Sequence, residues 1–466
     1  MNFEKKYLYL SVSLLVKVIL NIFIVFYVAK KVSVEDFGIF SLAFIISTLI
    51  SLGLDYGFNL RVLSLTSKSD KSINNEISSM LTGKKIIMLF MIFCLILALC
   101  FYDYGVDNKL TIFMLAFSAF PNSFAIFYLN NFKVFDLFDK EAKGYLTQAV
   151  ILVILLIVIE KFNYNKIFHF SAIFLISRIA FYIYAYYIFY SNKLFLITKT
   201  RFLDGIKSIK TSFSYAVHLI LAALIIYIDT FILSFLTDLY QVGLYQSGMR
   251  IIMASLLVTV IINDSFIPII SRNFKNKKYI QKKLSKLFGF VLLLITLITI
   301  TLLFYHKSII MIIFSEEYLE IEQYIIYIVI IIALRYFGLI PGIILTSGDR
   351  QDIRARAVLI SIIISVIFNL ILIPIYEIKG AFISSLMAHI VLNLIYLYTS
   401  IGMVNFLKKT NYQLIILLNV PLIYLNIFYF SDSNKFLFYT LLINIFYLFV
   451  YYYYSFKRDN KLAKKS

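Results

Sequence analysis

The chain has 466 residues, 61% hydrophobic and only 15% charged, with a mean hydropathy of +0.89. That is too apolar for the surface of a water-soluble fold and calls for lipid as solvent. A net charge of +19 does not mark a nucleic-acid partner, because Lys and Arg sit between long apolar runs and not on one amphipathic face.

A spanning helix takes roughly 20 apolar residues, and breaking the sequence at its charged and turn-rich stretches predicts about fourteen spans. The first, 8–29, is longer than a signal-peptide core and ends in Val28-Ala29-Lys30-Lys31 without a cleavage pattern, so it is expected to stay in the mature protein. Ser13, Lys17 and Asn21 share one of its faces, being four apart. The second, 37–59, opens with Asp36-Phe37-Gly38-Ile39-Phe40; Asp55 and Arg61 lie at its inner end, where snorkelling is cheap. The third, 86–106, holds the only cysteines, Cys94 and Cys100, which point to different sides of a helix and imply no disulfide. Gly83-Lys84-Lys85 before it lacks the rest of a phosphate loop, which excludes an ATP-driven pump. The fourth to sixth, 110–131, 144–160 and 167–190, contain one deep charge, Arg178.

The seventh span, 213–236, carries His218 and Asp229 close to three full turns apart. The eighth, 243–270, opens with Gln241-Val242-Gly243-Leu244-Tyr245 and carries Arg250 and Asp264. After 287–306, the tenth, 324–346, places Arg335, Gly338, Gly342 and Thr346 on one side. The eleventh, 357–374, has a stripe of Ser361, Ser365 and Asn369, and the twelfth, 379–400, one of Ser385, His389 and Asn393. The spans 413–430 and 435–454 complete the series. With the N-terminus inside, about 32 of the 44 Lys and Arg fall in inner segments and about 8 in outer loops, as the positive-inside rule requires. Both termini are therefore expected to be cytoplasmic.

The openings of the second and eighth spans share one pattern, residue-residue-Gly-aliphatic-aromatic, about 205 residues apart. Six spans separate them; six is even, so the halves share one orientation, as in parallel-repeat transporters. This predicts an N-terminal six-helix lobe over 1–212, a C-terminal six-helix lobe over 213–402, and two further helices with a basic tail over 403–466.

A charge at mid-membrane costs about 2.5–3.5 kcal/mol on insertion scales, so each must be paired or face water. Four cations, Lys17, Arg178, Arg250 and Arg335, outnumber two deep acids, Asp229 and Asp264. The excess points to an anionic cargo, and guanidinium groups suit a diphosphate. Asn21, His218, Asn369 and His389 are polar candidates for a wet passage, and Asp229 and Asp264 for a coupling proton. The structural alternative is that Asp229 and Arg250, at similar depth in adjacent antiparallel spans, form an ion pair, and that the polar stripes only bond neighbouring helices. No metal or cofactor is expected.

Four ordered stretches carry a family resemblance: Phe26 to Ser64, with Asp-Phe-Gly at the start of the second span; Ile228 to Arg250, with its intramembrane Asp and Gly-x-Tyr; FSEEYLE from Phe314 to Glu320; and Leu345 to Val391, with Asn-x-x-Leu-x-Pro and a later Gly-Ala. Together they resemble the Wzx-type polysaccharide flippases of the multidrug/oligosaccharidyl-lipid/polysaccharide (MOP) exporter superfamily. The resemblance implies an all-α integral membrane fold, a V-shaped pair of six-helix bundles plus two C-terminal helices. It also implies a flippase that carries undecaprenyl-diphosphate-linked oligosaccharide to the outer leaflet of a bacterial inner membrane, for O-antigen, lipopolysaccharide or capsule, with polymerase machinery as a partner. Asp229 matches the family's seventh-helix Asp, and Asn369, Pro374 and Gly380 match the later motif; Glu377 stands where the family usually has Gly. The alternatives are a MATE-like multidrug/ion antiporter and a membrane polysaccharide polymerase. An enzyme of that last kind generally has a long outer loop, and here the longest, about 307–322, is short.

Overall fold

The computed structural model describes residues 22–63, 70–101, 105–135, 137–164, 166–192, 198 and 200–407. Lys17, Asn21 and the thirteenth and fourteenth spans lie outside the described residues, as does the side chain of His218. Among the described residues the regular structure is helical, with no strand. In chain order it comprises α1 (22–31), α2 (Val34–Asp55), α3 (Phe58–Leu63), α4 (Asp70–Phe101), α5 (Val106–Asn131), α6 (Phe138–Phe162) and α7 (Ile167–Ser191). It continues with α8 (Phe202–Leu236), α9 (Leu239–Ser255), α10 (Leu257–Arg272), α11 (Lys277–Ile313), α12 (Ile325–Phe337), α13 (Leu339–Ser347) and α14 (Gln351–Met403).

Ten helical segments among the described residues are long and apolar enough to cross a membrane, the last being α14. That helix is broken at Glu377 (φ 49°, ψ −126°), three residues after Pro374. Ala357 and Tyr396, far apart on either side of the break, pack together against Leu345, so α14 is a hairpin of two arms. Counted as two, its arms bring the segments into step with the second to twelfth predicted spans. The protein is an all-helical, multi-pass membrane protein, because only closed backbone hydrogen bonding survives in hydrocarbon.

The helices run past their apolar stretches. α4 begins at Asp70 and α8 at Phe202, well ahead of the apolar runs that predict them, because hydropathy registers only the apolar part of a helix that continues into the interface. Lys84, counted from sequence as an inner-loop charge, is therefore a helical residue and wholly buried.

By its packing the chain divides into two compact units, Met1–Tyr227 and Ile228–Ser466. In the first, α5 packs against α7 and α2, and α6 against α7. Small residues buried on α2 and α5, among them Gly38, Ala43, Ala116 and Ala119, let the backbones approach closely. Around them lie Leu54, Phe58, Leu81, Phe127, Phe181 and Phe189. In the second unit, α12 and α13 pack against α14, and α11 against α12.

The repeated opening pattern marks the same local structure in both units. Ser33 caps α2 by accepting the Asp36 N–H at 3.2 Å, and Asp238 caps α9 by accepting the Gln241 N–H at 2.8 Å. The four residues that follow, Phe37 to Phe40 and Val242 to Tyr245, are all buried.

Loop contacts sort the helix ends. In the first unit Lys31 pairs with Glu160 at 2.6 Å and Lys166 with Asp107 at 3.8 Å. At the opposite ends Arg61 bonds Glu76 and the Ser208 carbonyl, and Lys133 pairs with Glu141 at 2.9 Å. In the second unit Tyr240 donates to Glu320 at 2.7 Å, and Gln281 donates to the Asn405 carbonyl at 2.6 Å on the other face. Each pair joins segments that the alternation of Lys and Arg assigns to a common side.

Glu377 is exposed and occupies backbone space that glycine tolerates and other residues pay for, about 1–3 kcal/mol. Glu377→Gly is expected to stabilise the hairpin by about 1 kcal/mol after the entropy that glycine adds to the unfolded chain. A raised melting temperature of the purified protein would show it; a fall would mean that Glu377 earns its place through its side chain.

Candidate functional site

Among the described residues of the second unit the most deeply buried charge is Asp229 on α8, 2% exposed. Tyr245 of α9 donates to its Oδ2 at 3.2 Å, and Asn369, on the first arm of α14, donates to its Oδ1 at 2.6 Å. Ser365, one turn before Asn369, donates to the same oxygen. Ser385 on the second arm also reaches it. The hairpin at Glu377 makes this convergence, because Asn369 and Ser385 lie eight residues before and after the break. A second tie between α8 and α9 runs one residue on, from Gln246 to Thr230 at 2.6 Å.

All of these donors are neutral. The Asp229–Arg250 ion pair entertained from the sequence does not form; Arg250, half-buried on α9, lays its guanidinium 4.0 Å from the Met253 sulfur. The Asn369 Oδ1 is enclosed without a hydrogen bond, which leaves an unmatched acceptor beside the carboxylate. A carboxylate withdrawn from water among neutral dipoles is costly, which makes Asp229 a candidate functional residue. Arg335 on α12 lies within electrostatic reach of Tyr245 and of buried His389. Asn393, one turn beyond His389, donates to the Leu334 carbonyl at 3.0 Å and so ties the second arm of α14 to α12. Asp229, Asn369, Arg335 and His389, scattered over more than 160 residues, are thus drawn into one region of the unit. Asp264 is not; it sits exposed on α10.

Among the described residues the first unit buries two cations, Lys84 and Arg178, besides Glu141 near the start of α6. Arg178, near the middle of α7 and 8% exposed, donates from Nη1 to the Ser47 hydroxyl at 2.7 Å and the Ser118 hydroxyl at 2.6 Å. Its guanidinium lies over the rings of Phe44 and Phe174, 5.9 and 5.7 Å from their centroids. Among the described residues no carboxylate bonds it. Among the described residues Nε and Nη2 make no hydrogen bond, so three of the five donors in the guanidinium fork are left unused there.

Lys84 presents a different solution. Its ammonium donates to the Leu54 carbonyl at 3.0 Å and the Ser123 hydroxyl at 2.7 Å, and lies over the rings of Phe124 and Phe127. Leu54 is in the last turn of α2, which stops where Tyr56 (φ 47°) and Gly57 (φ 78°) turn the chain. Lys84 therefore caps a helix C-terminus, satisfying an orphan carbonyl and opposing the dipole. Sequence reasoning missed this role; the signal available was a Lys one turn inside a run of small and apolar residues. Tyr245 was likewise legible only as part of a repeat pattern.

The Polysaccharide biosynthesis protein family matches residues 3–274. No curated protein matches the chain in sequence. Among solved structures, the lipid II flippase MurJ in an inward closed conformation superposes with a TM-score of 0.71 at 18% identity, over 97% of this chain and 99% of that one. An inward-facing multidrug resistance MATE family transporter of the MOP superfamily gives 0.65 at 13% identity, over 87% and 99%. A MOP superfamily transporter from Pyrococcus furiosus, with a binding pocket of reverse polarity, gives 0.57 at 12% identity, over 86% and 95%. Likeness at such low identity establishes the fold, that of MOP superfamily transporters. With more than half of its length matched, the chain belongs to the polysaccharide biosynthesis protein family.

Proposed function

We propose that this protein is a flippase of the bacterial inner membrane that moves undecaprenyl-diphosphate-linked oligosaccharide units from the cytoplasmic to the outer leaflet by alternating access, with both termini cytoplasmic. The observation that carries the reading is Arg178: a mid-membrane guanidinium held by two hydroxyls and two aromatic faces, with, among the described residues, unused donors and no carboxylate bonded to it. Such a group is poised for an anion, and the planar fork matches phosphate oxygens. Membership of a polysaccharide biosynthesis family and the fold shared with a lipid II flippase support a lipid-linked sugar as the bearer of that anion. Arg335, Arg250 and Lys17 are further cationic contacts in this scheme, with Asn21, His218 and His389 as polar contacts. Polymerase machinery would take up the flipped product.

Asp229 serves energy coupling in this reading: its carboxylate and the unmatched Asn369 oxygen exchange a proton or small cation as the unit changes state. Asp264, exposed on α10, is the weaker candidate. A MATE-like exporter of cationic drugs would also use a buried acid. Here, however, the acid is already surrounded by the protein's own donors, while the available donors belong to a cation.

In a deletion strain, which is expected to accumulate prenyl-linked oligosaccharide, Arg178→Met should fail to restore export. The loss should be about tenfold or more, the value of a hydrogen bond to a charged group, with the protein inserted and melting close to wild type because a buried cation with neutral partners contributes little to stability. Normal surface polymer with this variant would remove the anion-contact role. Asp229→Asn should insert and bind cargo but not turn over, whereas Asp229→Ala, which strands its donors, should lower stability by about 1–3 kcal/mol. Full export by Asp229→Asn would rule out coupling at this position.

A further inference from the structure

We infer that a cavity in the second unit, at the ends of α10 and α13, binds the phosphate group of an anionic membrane phospholipid. The cavity has a volume of about 470 Å³ and lies between the α10–α11 turn, with Arg272, Lys275 and Asn276, and the Ser347-Gly348-Asp349 turn. This is within the range of small-molecule sites. It is independent of the proposed transport function and uses none of the residues assigned to it.

Position comes first. Apolar residues of α10 and α13, among them buried Ile270, Ile343, Ile344 and Leu345, run up to the cavity, and the polar turns begin there. The cavity thus opens at headgroup depth. Its loop is on the same side as the Gln281–Asn405 tie, the side that the positive-inside rule makes cytoplasmic. Basic pockets between spanning helices on that side suit anionic headgroups.

Charge comes second. Residues 271–286 contain seven Lys and Arg and no acid. Among the described residues, neither Arg272 nor Lys275 forms an ion pair or a side-chain hydrogen bond, although Asp349 stands on the opposite wall. Asp349 is the one carboxylate on the lining and is followed at once by Arg350, so the cations at the mouth outnumber it.

Shape comes third. A methyl group added at Gly348 would come within 2.6 Å of the Phe274 ring, so the α13 turn seats directly on that ring. Phe274 and Gly348 thus hold the two turns against each other.

The test uses the full-length purified protein and counts retained lipids by native mass spectrometry, with phosphatidylglycerol and phosphatidylcholine as probes. Wild type should hold one phosphatidylglycerol in preference to phosphatidylcholine, and 1 M salt should weaken it. Arg272→Ala/Lys275→Ala should weaken that lipid by about tenfold or more, two cations each acting near the surface. Arg272→Lys/Lys275→Arg, with the charge kept, should retain it, and Arg178→Met should leave it unchanged. Equal retention of the two lipids, or undiminished phosphatidylglycerol on the alanine variant at wild-type melting temperature, would overturn the assignment. So would two competition results: displacement by millimolar inorganic phosphate alone, which would make this a free-phosphate site, or preference for farnesyl diphosphate, which would make it a site for cargo. Because the readout is binding, its failure leaves the export result for Arg178 standing.

Discussion

Hydrocarbon solvates neither a backbone amide nor a charge, and each feature of this molecule answers that constraint. Backbone groups are satisfied within helices, and where a helix must stop inside the protein another group supplies the missing bond: Lys84 at the Leu54 carbonyl is the clearest case. Side-chain charge is harder to satisfy. The described spans answer with rings, hydroxyls and amides, and keep ion pairs for the helix ends, where Lys31 meets Glu160 and Arg61 meets Glu76.

This division gives each unit a distinct chemical character. Among the described residues the first buries two cations, Lys84 and Arg178, besides Glu141, which pairs with Lys133 near a helix end, and the environments of the two cations separate their roles. The Lys84 ammonium is spent on a helix terminus and a serine that also bridges to α2, so its charge is absorbed into the fold. Arg178 uses one nitrogen to anchor itself between Ser47 and Ser118, and among the described residues the rest of its fork bonds nothing. The second unit buries an anion whose donors come from α8's neighbours on both sides. Asp229 is a junction that any rearrangement of α9 or α14 must disturb.

The glycine that the family pattern leads one to expect at position 377 is absent, yet the turn forms. Glu377 adopts the positive φ because Pro374 ends the first arm and because the two arms, once paired, bury Ala357, Ser365, Asn369 and Ser385 against the rest of the unit. Tertiary packing overrules a local preference worth a few kcal/mol at most. The same hairpin brings Asn369 and Ser385 to Asp229, so the strained turn and the buried network are parts of one arrangement.

Much of the architecture was legible in the sequence. Apolar runs of membrane-crossing length, the alternation of basic loops and the repeated Gly-aliphatic-aromatic opening each depend on local chemistry that every segment carries by itself. Asp229, Asn369 and Arg178 were identifiable as costly residues for the same reason. What sequence could not decide was pairing. Asp229 and Arg250 have suitable depths, but helix rotation turns them to different neighbours, and Lys84 looks like a loop charge until α4 is seen to begin at Asp70. Depth follows from hydropathy, one residue at a time. The direction in which a side chain points, and therefore whether its charge is absorbed or left available, is set by the packing of helices against one another, and only the tertiary structure contains that.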